Sequence, residues 1–139
     1  MDVFNAEQRS AVMRSVKSKD TTPEIKVRRL LHRAGYRYRI HRSDLPGKPD
    51  IVFAGRRAAI FIHGCFWHQH PGCPHAERPS SNNDYWTKKL NRNIERDKAH
   101  IIALQELGWK VLTIWECEIS NSDTLLTVKQ FLESRSINA

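Results

Sequence analysis

Three cysteines and one of the seven histidines are spaced in a way that suits a metal ion. Cys65, His70 and Cys73 follow one another as C-x4-H-x2-C, and Cys117 comes later in the chain. Thiolate sulfur and imidazole nitrogen are the preferred ligands of tetrahedral structural Zn²⁺, and four of them complete such a site. The pattern uses every cysteine and therefore predicts structural zinc. The alternative is three unmetallated thiols beside a coincidental histidine, and two further histidines nearby leave the nitrogen ligand open.

A single aspartate could hold a different metal ion. Asp50 follows Lys48-Pro49 at the predicted start of a strand, and Mg²⁺ is usually held by one or two carboxylates with waters and phosphate oxygens. Nucleases with a PD…(D/E)xK pattern carry a second carboxylate and a lysine on the next strand, where this chain has Phe61-Ile62-His63. The backbone carbonyl of Ile62 could ligate the ion instead, and His63 could activate water. The alternatives are a turn aspartate and a structural histidine.

The composition limits the class of protein. The chain has 139 residues, a formal net charge of +8 and a sequence pI near 9.8. This length fits one domain over residues 1–139. The longest apolar run, 58–62, is too short for a membrane helix, and the first residues lack a secretory signal. The positive charge predicts a polyanionic partner such as nucleic acid, with solubilising surface charge as the alternative.

The elements that position these residues follow from periodicity and capping signals. They are a basic helix over about 5–17, a helix from about 21 to 34, strands at 36–41, 51–53 and 58–62, a helix over about 84–107, a central strand at 109–115 and a last helix capped by Ser122 or Asp123. The irregular stretch 64–84 carries most of the zinc ligands, so metal binding rather than apolar burial must order it. The pattern predicts an α/β fold with a mixed central sheet flanked by helices.

Several long motifs together resemble one known family. These motifs are Pro46-Gly47-Lys48-Pro49-Asp50, Gly64-Cys65-Phe66-Trp67-His68, Asn93-Ile94-Glu95-Arg96-Asp97, Leu104-Gln105-Glu106-Leu107-Gly108-Trp109 and Trp115-Glu116-Cys117. From about Arg9 to Cys117 the chain resembles the very short patch repair (Vsr) DNA mismatch endonucleases. The resemblance implies a restriction-endonuclease-like core that hydrolyses one DNA strand beside a T:G mismatch, the product of 5-methylcytosine deamination. It also implies catalytic Mg²⁺ and structural Zn²⁺.

The resemblance assigns roles to individual residues. Asp50 matches the carboxylate ligand of Mg²⁺, and Ile62 matches the position that ligates through its carbonyl. The residues matching the rest of the catalytic centre are the active-site histidines His63 and His68, with His68 acting on the attacking water, and the supporting acids Glu24 and Asp97. The four zinc ligands agree with those predicted from spacing. The loop at 69–73 departs slightly from the family's histidine-to-cysteine spacing, so the resemblance alone does not fix the nitrogen ligand.

Recognition of DNA would use side chains in and beside the irregular stretch 64–84. Phe66, Trp67 and Trp86 resemble the family's intercalating wedge, and a mispaired step should open at a lower cost than a paired one. Lys89 and Asn93 lie four residues apart and so share a helix face. They match the family's base-reading positions and can donate to base acceptors in the major groove. The alternatives are core aromatic residues and a solvated helix face.

The sequence therefore predicts a Mg²⁺-dependent endonuclease that nicks mismatched duplex DNA and starts very short patch repair. We expect a cytoplasmic, nucleoid-associated monomer whose helix over 5–17 clamps the duplex, with mismatch-repair proteins as candidate partners. Two alternatives stay open. One is a zinc-ordered DNA-binding protein without catalysis, because the sheet lacks the second carboxylate. The other is a Holliday-junction or restriction nuclease on the same core.

Overall fold

The computed structural model describes residues 21–134. The predicted helix over 5–17, with Arg9, Arg14 and Lys17, lies outside the described residues. The elements within the described range are α1 (Thr22–Arg33), β1 (Ile51–Phe53), β2 (Ala58–His63), α2 (Asn83–Glu106), β3 (Lys110–Trp115) and α3 (Asn121–Glu133). No helix in this range is both long and apolar enough to cross a membrane.

The sheet is mixed, with the strand order β1-β2-β3. β2 pairs antiparallel with β1 and parallel with β3, and the parallel register sets His63 opposite Trp115. All six residues of β2 are buried, whereas Ile114 is the buried residue of β3. The prediction that the strand at 109–115 is central was wrong, because that strand forms an edge of the described sheet. Its apolar run reflects packing on both faces, which periodicity detects, and not its neighbours within the sheet.

Helices cover both faces of this sheet. Side chains alternate between the two faces of a strand, so Ile60 and Ile62 point into one core cluster and Ala59 and Phe61 into the other. The first cluster contains residues of α1 and α3, and the second contains Leu104 of α2. The predicted α/β class, a mixed sheet flanked by helices, is therefore confirmed within the described range.

The predicted strand over 36–41 is not formed. Arg39 makes an isolated bridge with Val52, and the backbone turns left-handed at His41 (φ 58°). Tyr36 and Tyr38 instead pack edge-on against Phe53, with ring centroids 6.2 and 6.3 Å away. The alternation of apolar residues thus came from two tyrosines that share one packing partner, and no strand ladder was needed to bury them.

Polar side chains cap the N-termini of α1 and α3. Thr21 caps α1 as its sequence predicts, accepting a hydrogen bond from the Glu24 backbone N–H at 3.4 Å. At α3 the predicted caps Ser122 and Asp123 were wrong. Ser120 is the cap and accepts from the Asp123 N–H at 3.2 Å. Several polar residues in succession can each cap a helix, and the chain direction at the end of β3 decides between them.

Candidate active site and metal centre

A cavity of about 900 Å³ lies where β1 begins and β2 ends. Its lining includes all the residues predicted for catalysis, both predicted base-reading residues and two of the three predicted wedge residues. They are Glu24, Asp50, Ile62, His63, Phe66, Trp67, His68, Lys89, Asn93 and Asp97. The antiparallel hairpin explains part of this meeting, because it brings the start of one strand beside the end of the next. Trp86 does not line the cavity.

Two carboxyl groups lie together at this end of the sheet. The carboxylate of Asp50 accepts a 2.6 Å hydrogen bond from the backbone N–H of Ile62, which fixes it beside the end of β2. The pKa of Asp50 is raised to about 7, because burial and the neighbouring carboxyl of Glu24 raise it more than the Ile62 N–H and Arg28 lower it. Glu24 is 4% exposed and accepts from the Arg28 guanidinium at 2.9 Å. Two carboxyl groups this close can supply the negative charge that a divalent cation requires, and a bound cation would favour the ionised form of both.

Glu24 therefore supplies the second carboxylate that the strand pattern lacks. It stands on α1, 26 positions before Asp50 in the sequence, and helix packing rather than strand spacing brings it to the cavity. The resemblance gave Glu24 a supporting role, but residue spacing alone could not have found it. Arg28 was missed as its ion-pair partner, although the four-residue offset on a helix was a usable signal.

The two histidines predicted for catalysis stack on each other in the same cavity. The rings of His63 and His68 are parallel within 6° with centroids 3.8 Å apart. The pKa of His63 is lowered to about 4, because burial and the nearby His68 lower it more than Asp97 raises it. His63 is therefore neutral at pH 7.

Asp97 sets the orientation of the second histidine. Its carboxylate lies 2.6 Å from His68 Nδ1. An ionised carboxylate only accepts hydrogen bonds, so Nδ1 carries the proton of a neutral ring and Nε2 is left as the basic nitrogen. The side chain that the resemblance assigns to the attacking water is thus held in the tautomer that can accept a proton.

The four predicted zinc ligands form a second cluster. Their ligand atoms all lie within 4.8 Å of one another. The His70 Nδ1 is 3.7 Å from Cys65 Sγ and 3.3 Å from Cys117 Sγ, and Cys73 Sγ is 3.9 Å from Cys117 Sγ. A tetrahedral ion with metal–sulfur bonds of about 2.3 Å separates its ligands by about 3.8 Å, so this spacing fits one ion.

Parallel strand pairing brings these ligands together. Cys65 follows β2 by two residues and Cys117 follows β3 by two, and the last pair of the ladder joins His63 to Trp115. Desolvation and two adjacent thiols raise the pKa of Cys117 to about 12. Thiols this crowded ionise together only around a cation. Of the candidate histidines the structure brings His70 into this cluster.

Trp115 and Glu116 connect the two clusters and were missed as site residues. The Trp115 ring stacks on His70 at 4.3 Å and meets His63 edge-on at 5.2 Å. Glu116 Oε1 accepts a 3.0 Å hydrogen bond from the Cys65 N–H. Both belong to the Trp-Glu-Cys motif, which was the available signal, but the motif did not indicate a contact. The metal cluster and the histidine pair therefore share one support at the end of β3.

The predicted wedge residues contact one another. The Phe66 ring centroid lies 5.1 Å from Trp67 and 5.5 Å from Trp86. Phe66 and Trp67 are half-buried, whereas Trp86 is 6% exposed and packs against both of them from the start of α2. Asn93 is also buried, and its amide donates to the Trp67 carbonyl at 3.0 Å. Lys89, half-buried on the same helix, also lines the cavity.

Comparison with known proteins gives consistent matches. A family model described as DNA mismatch endonuclease Vsr matches residues 1–74. The type II nicking enzyme V.XorIIP of Xanthomonas oryzae pv. oryzae is 49% identical over 124 residues, which cover 89% of this chain and 90% of that protein. The type II nicking enzyme V.NmeAIP of Neisseria meningitidis is 43% identical over 86% of this chain and 85% of its own length. The DNA mismatch endonuclease Vsr of Escherichia coli is 40% identical over 89% and 79%.

Proposed function

This chain belongs to the Vsr family of DNA mismatch endonucleases, and from that premise we propose that it nicks one strand beside a T:G mismatch with the help of Mg²⁺. Such mismatches arise when 5-methylcytosine deaminates, and the nick would begin very short patch repair. Endonuclease action on DNA follows from the family. We further propose that the enzyme prefers T:G mismatches, uses Mg²⁺ and Zn²⁺, and acts as a monomer in the cytoplasm.

The observation that carries the proposal is the buried carboxyl pair facing the histidine pair across one cavity. Asp50 and the Ile62 carbonyl would hold Mg²⁺, with Glu24 adding negative charge nearby. Mg²⁺ held by these groups would supply Lewis-acid polarisation of the scissile phosphate and charge stabilisation at the leaving oxygen. This pairing of Asp50 with Glu24 answers the objection that the sheet lacks a second carboxylate, and it favours an enzyme over a protein that only binds DNA.

The proton transfer is assigned to His68. Asp97 holds the Nδ1–H, so Nε2 can accept a proton from the attacking water. The resulting imidazolium would be stabilised by the same carboxylate. His63 remains neutral in its buried place and packs against His68 along the whole ring, so it orients that ring and lines the water's approach.

The second cluster would hold structural Zn²⁺ through Cys65, His70, Cys73 and Cys117. The donor set of three thiols and one imidazole is typical of structural zinc, and the ligand spacing supports this choice. The loop between β2 and α2 has one short 3-10 turn and many exposed residues. Zinc would therefore supply the free energy that orders it.

Recognition would begin at the edge of this loop. Phe66 and Trp67 would enter the base stack, and Trp86, in the first turn of α2, would pack against both rings. Lys89 would donate to a base edge. An amide nitrogen carries two hydrogens, so Asn93 could do the same while still holding the Trp67 carbonyl.

Incubation with labelled duplexes tests the proposal. A T:G duplex with Mg²⁺ should be nicked in one strand, and the T:A duplex of the same sequence should be nicked at a much lower, still measurable rate. Omission of Mg²⁺ should stop the reaction while binding persists. Equal cutting of T:A or of branched DNA would favour the junction or restriction nuclease, and tight binding without product would favour the non-catalytic alternative.

A further inference from the structure

Gln69 has an unusual backbone and a fully engaged side chain. Its φ of 50° lies in the left-handed region, which favours glycine and disfavours a residue with a long side chain. Its Nε2 donates to the carbonyl of Phe66 at 2.7 Å and to that of Ala76 at 3.0 Å. Its Oε1 accepts from Arg78 Nε at 2.9 Å. An outlier with this many contacts indicates that the position requires its side chain.

Arg78 carries this network across to α2. Its Nη2 donates to Asn91 Oδ1 at 2.8 Å while Nε holds Gln69, as a planar guanidinium with several fixed donors can do. The next carbonyl of the loop, that of Trp67, is held from the same helix by Asn93. The backbone carbonyls of two successive residues, Phe66 and Trp67, are thus connected to α2 through hydrogen bonds from polar side chains.

We infer that Gln69 and Arg78 form a brace that positions the Phe66–Trp67 wedge and thereby sets the preference for mismatched over paired DNA. The inference rests on the proposed function, because it assumes that these rings enter the duplex. The brace is distinct from the metal cluster, since its hydrogen bonds run to backbone carbonyls and to α2 and not to any of the four ligands. Both members are positioning residues.

The physical reason lies in what insertion costs. Prising a base step apart costs stacking energy, and a mispaired step resists less than a paired one. If the two rings are already held in position, the difference in insertion cost between mispaired and paired steps appears fully in the binding free energy. Rings that are not held must also lose conformational entropy each time they bind. Phosphate contacts, which supply most of the affinity for any sequence, do not depend on the brace. Its loss should therefore reduce discrimination more than affinity.

The test uses Gln69→Gly and Arg78→Ala in the full-length, metal-loaded protein. Glycine suits the left-handed backbone, so the first variant removes the side chain without adding strain. T:G and T:A duplexes would carry 2-aminopurine beside the mismatch position, because its fluorescence rises when the base is unstacked. We expect the ratio of T:G to T:A nicking to fall about tenfold. The T:G fluorescence rise should be lost, and affinity for paired DNA should change less than about twofold.

Matched controls separate the brace from general effects. Gln130→Ala and Arg33→Ala remove an exposed amide and an exposed charge on α3 and α1, and both should keep the wild-type ratio. Because Arg78 reaches the loop carbonyls only through Gln69, the double variant should lose little more than the stronger single variant. Equal, independent losses that simply add would contradict a single brace. Asn91→Ala gives a third, milder version if either variant is too unstable to assay.

Trp67→Ala distinguishes the two ways of being wrong. If this variant loses the fluorescence rise and the discrimination while Gln69→Gly and Arg78→Ala keep both, the brace is wrong and the wedge stands. If Trp67→Ala also keeps both, the rings do not enter the duplex, and the wedge and the brace fail together. Loss in all three variants, with the two controls unchanged, supports the brace.

Discussion

The catalytic end of the sheet and the zinc loop, residues 64–82, are built by different means. Asp50, Ile62 and His63 stand at the ends of buried strands, where ladder hydrogen bonds and apolar neighbours on both faces fix them. The zinc loop has one short 3-10 turn and many exposed residues, and it contains three of the four predicted metal ligands, while the fourth, Cys117, follows β3. The core thus positions the chemistry, whereas side-chain ligands and hydrogen bonds position the recognition surface.

This difference predicts separable failures. A charge removed at the sheet end should stop the reaction without unfolding the protein. A ligand removed from the zinc loop should unfold that loop and spare the sheet. A change at the sheet end should therefore leave the zinc content unchanged, and a change in the zinc loop should leave the sheet folded.

The largest effect is expected from Asp50→Asn. Nicking of T:G duplex should fall about a thousandfold, because the variant loses the carboxylate that would hold the catalytic ion. The free energy of unfolding should stay the same or rise, since burial already disfavours the charged form of this group. Single-turnover nicking and urea unfolding measure the two quantities.

Asp44→Asn is the matched control for that experiment. Asp44 is an exposed carboxylate paired with Arg42 and does not line the cavity, so its variant should nick at the wild-type rate. Zinc content should be unchanged in both. A slow Asp50→Asn enzyme that has also lost its metal would show that the two regions are not separable.

Cys117→Ser should produce the next largest effect, in the other region. Removing one of four ligands should reduce the bound zinc well below one equivalent and lower stability by at least about 3 kcal/mol. Limited proteolysis should then cut within residues 64–82 while the strands stay protected. Metal analysis of the purified protein and identification of the cleavage sites provide the measurements.

Glu118→Gln controls for the change of charge in the same turn. Glu118 lies 3.6 Å from His70 Nε2 and is not one of the four ligands. Its variant should keep the metal, with affinity weakened by at most about tenfold. Full zinc content in Cys117→Ser would show that Cys117 is not the fourth ligand.

Short-range signals predicted much of the fold. The Thr21 cap, the hairpin of β1 and β2 and the long helix α2 all follow from residue types within a few positions of each element. The edge position of β3 could not be predicted in this way. Periodicity reports which faces of a strand are covered, and it contains no information about which strands lie beside it.

The site divides in the same way. Cysteine and histidine spacing predicted the metal cluster, because three ligands share one loop and the fourth ends a neighbouring strand. Spacing did not predict the meeting of Glu24 with Asp50 or the stacking of Trp115 on His70. Those contacts depend on how a helix and a strand end pack in three dimensions, and only the resemblance indicated the first of them.

The smallest effect concerns pH and distinguishes two groups within the sheet end. The folded protein holds the pKa of His63 at about 4, against about 6.5 when the side chain is free. Between those values the unfolded chain binds a proton that the folded chain does not, so His63 lowers stability as pH falls. From pH 7 to 5.5 this amounts to about 1 kcal/mol. His63→Gln lacks the term, so its deficit in urea unfolding free energy against wild type should shrink by that amount.

Asp50 should act with the opposite sign over the same range. Its pKa is raised to about 7 from 3.8, so the folded chain binds a proton first and stability rises as pH falls. Relative to wild type, Asp50→Asn should therefore lose about 1.6 kcal/mol between pH 7 and 5.5, measured without added Mg²⁺. The two terms largely cancel in the wild-type protein, whose own curve would conceal both. The difference in unfolding free energy from wild type should change with pH in opposite directions in the two variants. A change in the same direction would mean that these groups do not titrate as their surroundings require. Unchanged opposite slopes at two zinc concentrations would place both titrations in the sheet end and not in the zinc loop.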